Sequence, residues 1–156
     1  VVELMITGLK PGIGDPFFES IESEISRMIF SIPSTKGIEF GAGFGITRMT
    51  GYEANDEMYF DENGNVKSYT NNNGGIIGGI STGMPISFKV AIKPTASISK
   101  AQKTVNLETK KSDILEVQGR HDPVIVPRAI VVLECATAIV ILDRLLESQK
   151  NRGLQL

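Results

Sequence analysis

The sequence predicts an α+β fold in which a long, buried carboxy-terminal helix lies between sheets. The chain has 156 residues, the size of one ordinary domain, and we expect residues 1–156 to form a single domain. Its earlier part consists mainly of short β-rich stretches separated by glycine-rich turns. Its last part, from Val124 to about Gln149, predicts one helix that is apolar almost all round, and such a helix is either buried or membrane-spanning.

The amino-terminal third predicts a strand, a helix and a second strand. Residues 1–9 (VVELMITGL) are apolar and rich in β-forming side chains, which favours a strand. Residues 16–31 follow a Gly/Pro turn and place apolar side chains at helical spacing, with Asp15 as the expected N-cap. Ile38 to Phe40 predicts a short strand that ends in a glycine-rich loop.

The middle of the chain predicts turns, one irregular segment and one clear strand. Residues 46–56 (ITRMTGYEAND) are ambiguous and compatible with a short helix, and Asn63-Gly64 is a strong tight-turn signal between two short strands. Residues 71–83 (NNNGGIIGGISTG) do not favour a regular element, and their bare backbone allows a ligand to approach closely. Residues 84–92 alternate as a strand, and residues 104–117 predict turns and one more short strand.

Composition argues against several kinds of partner. Lys and Arg total 16 against 18 Asp and Glu, the net charge is −2 and no basic cluster is present, so we expect no nucleic-acid partner. The longest charge-free run of the last helix, Cys135 to Leu142, is far shorter than the roughly 20 residues that a bilayer needs. We therefore expect no membrane partner and interpret the helix as buried.

The single cysteine excludes an internal disulfide and a cysteine-based metal cluster. We expect Cys135 to be a small buried apolar side chain, no metal site, and a reducing, cytoplasmic compartment. No signal peptide is visible, and the chain begins without Met inside an apparent strand, so we expect it to be part of a longer protein.

Three stretches have the composition of ligand sites: NNNGGIIGG at 71–79, KPTAS at 93–97 and GRHDP at 119–123. The second offers the Lys93 ammonium, two hydroxyls and backbone N–H groups in a turn fixed by proline, which suits an anionic ligand. The alternative is a turn that ends a strand and carries a solvated lysine. Residue types alone leave both interpretations open.

The GRHDP stretch holds the only histidine of the chain between opposite charges. In an extended loop, Arg120 and Asp122 project to one side and His121 to the other. Arg120 suits bidentate recognition of phosphate or carboxylate, and a carboxylate such as that of Asp122 can accept a proton. The alternative is a local ion pair combined with an N-cap for the last helix. Spacing alone does not decide between them.

Taken together, in this order and spacing, the motifs resemble those of the chorismate synthase family. The resemblance is carried by NNNGGIIGGISTGMPI, KPTASI and GRHDPVIVPRAIVVLECATAIVILDRLL, with STKGIEFGAGF and RMTGYEANDEM upstream of them. It covers nearly the whole chain and corresponds to the carboxy-terminal portion of a complete family member. It implies a β-α-β sandwich with central helices, and typically a homotetramer.

The resemblance also implies a reaction. The family converts 5-enolpyruvylshikimate 3-phosphate to chorismate, in the shikimate pathway to the aromatic amino acids, by a 1,4-elimination of phosphate. The enzyme is a carbon–oxygen lyase and a flavoprotein that needs reduced FMN, with no net redox change. A non-catalytic module of the same fold that binds a flavin or phosphate ligand is the alternative, and a purely structural domain is a third interpretation.

The resemblance assigns roles to individual residues. Asp122 matches the aspartate of proton removal, and Arg120 matches an arginine at both flavin and substrate. The remaining flavin-binding positions are Gly78, Pro33, Ser34, Lys93, Pro94, Thr95, Ala96 and Ser97; Pro33-Ser34 is a weaker match, and Ala96 stands where the family usually has Ser. Val124 replaces a common Cys. The family's two other histidines and its arginine-rich loop have no counterpart here, so we expect this chain alone to be inactive.

Overall fold

The computed structural model of the chain describes residues 1–120 and 122–153. Labelled in chain order, its strands are β1 (Val2–Ile6), β2 (Thr35–Phe40), β3 (Met58–Phe60), β4 (Val66–Ser68), β5 (Ile76–Ile77), β6 (Ile80–Ser81), β7 (Ile86–Ile92), β8 (Gln102–Asn106) and β9 (Lys111–Leu115). Its helices are α1 (Ile21–Phe30), α2 (Gly51–Ala54) and α3 (Val126–Gly153), with 3-10 turns at Phe17–Glu19 and Gly43–Arg48. The predicted mixture of strands with a long carboxy-terminal helix is therefore present.

The main sheet has three antiparallel strands in the order β1-β7-β2. The apolar residues of β7 alternate with polar ones, so Ile86, Phe88 and Val90 lie on one face and are almost fully buried. Phe88 stands opposite Leu4 of β1 and Phe40 of β2, and the rings of Phe40 and Phe88 lie 5.4 Å apart. This row of side chains forms the floor of the core.

Helices α1 and α3 cover that face of the sheet. The side chains that α1 buries recur every four residues (Ile21, Ile25 and Ile29), which places them on one stripe of the helix. The predicted N-cap was wrong. Residues 17–19 form a separate 3-10 turn, and α1 begins after Ser20, whose hydroxyl accepts a hydrogen bond from the Ser23 N–H at 3.1 Å.

Helix α3 is buried on one face and exposed on the other. Its buried residues are Leu133, Ala136, Thr137, Val140 and Ile141, packed toward β1 and α1. On the other side, Ile139 and Leu142 are 59% and 57% exposed. Burial of Cys135 was a wrong prediction, because its thiol lies on this exposed side. Apolar side chains thus lie on both sides of α3, and the other described residues cover only one of these sides.

Several smaller predictions are confirmed or corrected by the hairpins. The Asn63-Gly64 turn does join two short strands, β3 and β4. Residues 71–83 contain one regular element after all, the two-residue hairpin β5–β6. Residues 102–115 form a hairpin of two strands, β8 and β9, where one strand was expected. Within residues 1–120 and 122–153, no helix is long and apolar enough to cross a membrane.

Candidate functional site

The residues expected at the flavin lie at two opposite ends of the fold. We call the end where β2 begins and β7 finishes the cationic end, since it contains Ser34 and Lys93. The other end, where β2 finishes and β7 begins, carries residues 71–79, and we call it the glycine-rich end. Each is described in turn.

At the cationic end, two stretches far apart in sequence are joined directly. The Lys93 N–H donates to the Ser34 carbonyl at 2.7 Å, next to the pairing of Thr35 with Ile92. Ser34 has φ 73°, a left-handed backbone that a serine seldom adopts. The structure therefore places Pro33 and Ser34 beside the start of the KPTAS stretch, as a shared site would require.

The β8–β9 hairpin brings the KPTAS and GRHDP stretches together. Residues 93–101 lead into β8, and residues 116–125 lead away from β9. At the base of the hairpin, the Gln102 side-chain amide donates to the Ala96 carbonyl at 3.0 Å, and the Ser99 hydroxyl donates to the Val117 carbonyl at 3.3 Å. The antiparallel pairing of β8 with β9 thus brings the two motifs close in space, although more than twenty residues separate them in sequence.

The direction of α3 places its first turn toward the cationic end as well. Near the end of α3, Arg144 contacts Glu19, which precedes α1, at 3.3 Å. The two packed helices therefore run antiparallel, and the residues of α3 beside the end of α1 are Ile139 and Val140, which line one cavity with Met28 and Ser31. The start of α3 extends further in the same direction, past the end of α1, so Asp122 lies toward the cationic end.

Asp122 is held by an arginine that the sequence interpretation did not single out. Its Oδ2 lies 2.7 Å from Nη1 of Arg128, and its side chain is about half exposed. The N-cap alternative is wrong, because the Arg128 and Ala129 N–H groups both bond the Ile125 carbonyl, which puts the cap at Ile125. Asp122 does form an ion pair, but with Arg128 and not within the GRHDP stretch, and its predicted role in catalysis stays a prediction. His121 lies outside the described residues, so its predicted direction stays a prediction.

At the glycine-rich end, a buried carboxylate organises the loop. Asp56 is 7% exposed. Its Oδ1 accepts from the Thr70 hydroxyl and the Asn72 N–H, each at 2.7 Å, and its Oδ2 accepts from the N–H and side-chain amide of Asn73, at 2.9 and 2.8 Å. Burial raises the pKa of Asp56, but the hydrogen bonds from Asn73, Thr70 and Asn72 outweigh it and leave the pKa below its ordinary value.

The glycines of this end differ in what they make room for. A Cβ on Gly74 would lie 2.5 Å from the Gly41 nitrogen and 2.8 Å from the Ser87 oxygen, so Gly74 serves packing within the chain. Gly78, at the β5–β6 turn, has φ 60° and no atom within 4 Å of a Cβ position. Its open side faces space in which another molecule or segment can sit.

The structure does not bring Gly78 together with Lys93. The glycine-rich segment is bonded to the first residues of β7 (Gly74 O to Ser87 N, 3.1 Å), whereas Lys93 follows the last. Seven residues of strand at about 3.3 Å each separate the two ends by roughly 20 Å. Among the described residues, Pro33 and Ser34 share an end with Lys93–Ser97 and Asp122 lies toward that end, whereas Gly78 lies at the other end.

A cluster of three carboxylates lies near Arg144 at the glycine-rich end. Oxygen atoms of Asp15, Glu19 and Glu147 lie within 4.8 Å of one another. The Arg144 guanidinium contacts Glu147 at 2.7 Å and Glu19 at 3.3 Å. A guanidinium thus already lies against two of the three carboxylates, and the expected absence of a metal stays a prediction.

Comparison with known proteins decides the family. The model of the chorismate synthase family matches residues 1–146. The chain belongs to the chorismate synthase family. A chorismate synthase of Methanothermobacter thermautotrophicus is 47% identical over 148 residues, which are 95% of this chain and 40% of that protein. One of Methanocaldococcus jannaschii is 48% identical over 147 residues, 94% of this chain and 39% of that protein.

The solved structures agree. A crystal structure of chorismate synthase superimposes with a TM-score of 0.74 at 32% identity, covering 94% of this chain and 37% of that one. This confirms the α+β fold class. This chain spans about 40% of the length of the curated relatives that it matches.

Proposed function

We propose that this chain is a functional part of a chorismate synthase, a carbon–oxygen lyase that eliminates phosphate from 5-enolpyruvylshikimate 3-phosphate and depends on reduced FMN. The observation that carries the proposal is the convergence at the cationic end. A backbone hydrogen bond joins Ser34 to Lys93, and the base of the β8–β9 hairpin links the stretch that follows Lys93 to the stretch that leads to Asp122. Both observations support a shared site on a fold that matches the family.

The donor set of this end fits a phosphorylated flavin and an anionic substrate. Lys93 is exposed and positively charged, and Thr95 and Ser97 add hydroxyl donors beside it. Pro33, Pro94 and Ala96 shape the backbone on which these groups stand. Arg120 provides a guanidinium, which suits bidentate binding of carboxylate or phosphate. Reduced FMN, when bound, would supply electron density to the electron-deficient substrate.

Asp122 is the proposed proton acceptor. In a 1,4-elimination, a proton leaves one carbon, the bonding pairs shift through the ring, and phosphate departs with the electron pair of its C–O bond. The half-exposed carboxylate of Asp122 takes up the proton, while the cations of this end stabilise the charge that develops on the phosphate.

The roughly 20 Å between Gly78 and Lys93 indicates that the flavin site is completed from outside this chain. A second copy, as in the proposed homotetramer, or the remaining 60% of the relatives' length would supply the missing groups. We therefore expect the isolated chain to have no turnover. A cytoplasmic location is part of the same proposal, supported by the single unpaired cysteine.

The test is a chimera in which the upstream portion of the Methanothermobacter relative is joined to this chain. We expect it to form chorismate from 5-enolpyruvylshikimate 3-phosphate anaerobically with reduced FMN, and we expect Asp122→Asn to lower kcat at least a hundredfold while FMN still binds. A chimera that binds FMN without turnover would favour the alternative, a non-catalytic flavin-binding module. A chimera that does neither would contradict both.

A further inference from the structure

The contact between Arg128 and Asp122 is not explained by stability. The Arg128 side chain is 78% exposed and that of Asp122 is 48% exposed. Ion pairs at such exposure contribute little to folding, because water and salt screen the attraction and two side chains lose freedom. The short Nη1–Oδ2 distance of 2.7 Å nevertheless fixes one particular geometry for this pair.

The position of Arg128 on its helix also argues against a role in stabilising α3. Arg128 is the third residue of α3, where the positive end of the helix dipole disfavours a cation. Arg144, on the same helix, lies far from that end and contacts three carboxylates. A cation beside the first turn is therefore better explained by its partner Asp122 than by the helix.

We propose that Arg128 is a positioning residue for the elimination, which holds the Asp122 carboxylate by Oδ2 and leaves Oδ1 to accept the proton. Among the described residues, Oδ1 receives no hydrogen bond, whereas Oδ2 is engaged by Arg128. The helix backbone anchors Arg128 through the bond from its N–H to the Ile125 carbonyl at 3.1 Å. Arg128 thus orients a carboxylate that stands on a loop. This inference rests on the proposed function of Asp122.

The experiment is a double-mutant cycle in the active chimera, with Arg128→Gln, Asp122→Asn and both together. We expect Arg128→Gln to lower kcat about tenfold and to change KM for 5-enolpyruvylshikimate 3-phosphate less than twofold. We expect it to have no further effect once Asp122 is Asn, because a residue that acts through Asp122 has nothing left to orient. Arg128→Lys, which keeps the charge, should recover part of kcat.

The control is Arg27→Gln. Arg27 has the same 78% exposure and also forms an arginine–carboxylate pair, at 2.6 Å with Glu24, but lies on α1. It should leave kcat and KM unchanged.

Three results would overturn the inference: an unchanged kcat for Arg128→Gln, a raised KM with unchanged kcat, which would make Arg128 a direct substrate ligand, or equal effects of Arg128→Gln with and without Asp122. An inactive chimera, or full activity of Asp122→Asn, would instead overturn the proposed function and this role with it.

Discussion

Replacing Asp56 by Asn tests the clamp at the glycine-rich end. In the isosteric variant, the amide NH₂ must face one pair of donors, either Thr70 and Asn72 or the two N–H groups of Asn73. The Thr70 hydroxyl can accept from this NH₂ and donate to the Asn55 carbonyl, 3.4 Å away, so the favoured arrangement leaves only the Asn72 N–H without an acceptor. One such donor lowers the free energy of unfolding by about 1–3 kcal/mol. Urea unfolding followed by circular dichroism at pH 7 measures this difference.

The same variant predicts a pH dependence with a defined sign. The pKa of Asp56 is lowered in the folded chain, so its stabilising effect is complete above the unfolded value of about 3.9 and is lost as the pH falls through the folded value. The difference between Asp56 and the variant should be constant from pH 7 to 5 and shrink below pH 4.

Asp113→Asn is the control for this prediction. Asp113 is exposed and accepts only from the N–H of the next residue, Ile114, so its loss should cost less than about 0.5 kcal/mol. The reasoning would be refuted if the Asp56 variant unfolded at the same urea concentration as the parent, or if the difference between them were as large at pH 3 as at pH 7.

Three further predictions concern packing and exposure. Gly74→Ala should lower the free energy of unfolding, measured in urea, by more than about 2 kcal/mol, because the new Cβ would overlap backbone atoms. Gly78→Ala should lower it by only about 1 kcal/mol, for the positive φ, and should weaken FMN binding to the chimera. Equal effects of the two variants on stability would contradict this prediction. Leu133→Ala should cost about 2–5 kcal/mol, since Leu133 is fully buried, and a loss below 1 kcal/mol would show that α3 is not docked. Cys135 should react with a thiol reagent within minutes in the isolated chain and far more slowly in the chimera, if the added portion covers this face of α3; equal rates would show that it does not.

Local sequence patterns predicted the main elements well. Alternation predicted β7, helical spacing predicted α1, and a long, almost wholly apolar run predicted α3, because each of these elements has at least one face buried by its own chain. The errors arose where a tertiary partner decides. Ser20, and not Asp15, caps α1 because residues 17–19 form a separate 3-10 turn. Cys135 is exposed because none of the described residues covers that side of α3.

The candidate site was predictable as a set of motifs and not as an arrangement. Lys93 and Asp122 could be recognised by their neighbours in sequence, but their common end of the fold depends on the β8–β9 hairpin and the direction of α3. Arg128 could have been found by asking which cation follows Asp122 across the start of a helix. No local sequence pattern predicts the separation of Gly78 from Lys93, since it is set by the length of β7.

The β8–β9 hairpin has a consequence for how this region can be altered. Nearly all its residues are exposed, and its bonds to the rest of the site are at the base, around Ser99, Gln102 and Val117. Residues can be inserted or deleted at its tip, around Leu107 to Lys110, in equal number on both strands without disturbing that base. The number of residues between KPTAS and GRHDP is thus free to vary, and the tip is a suitable place to insert a fluorescent or affinity tag.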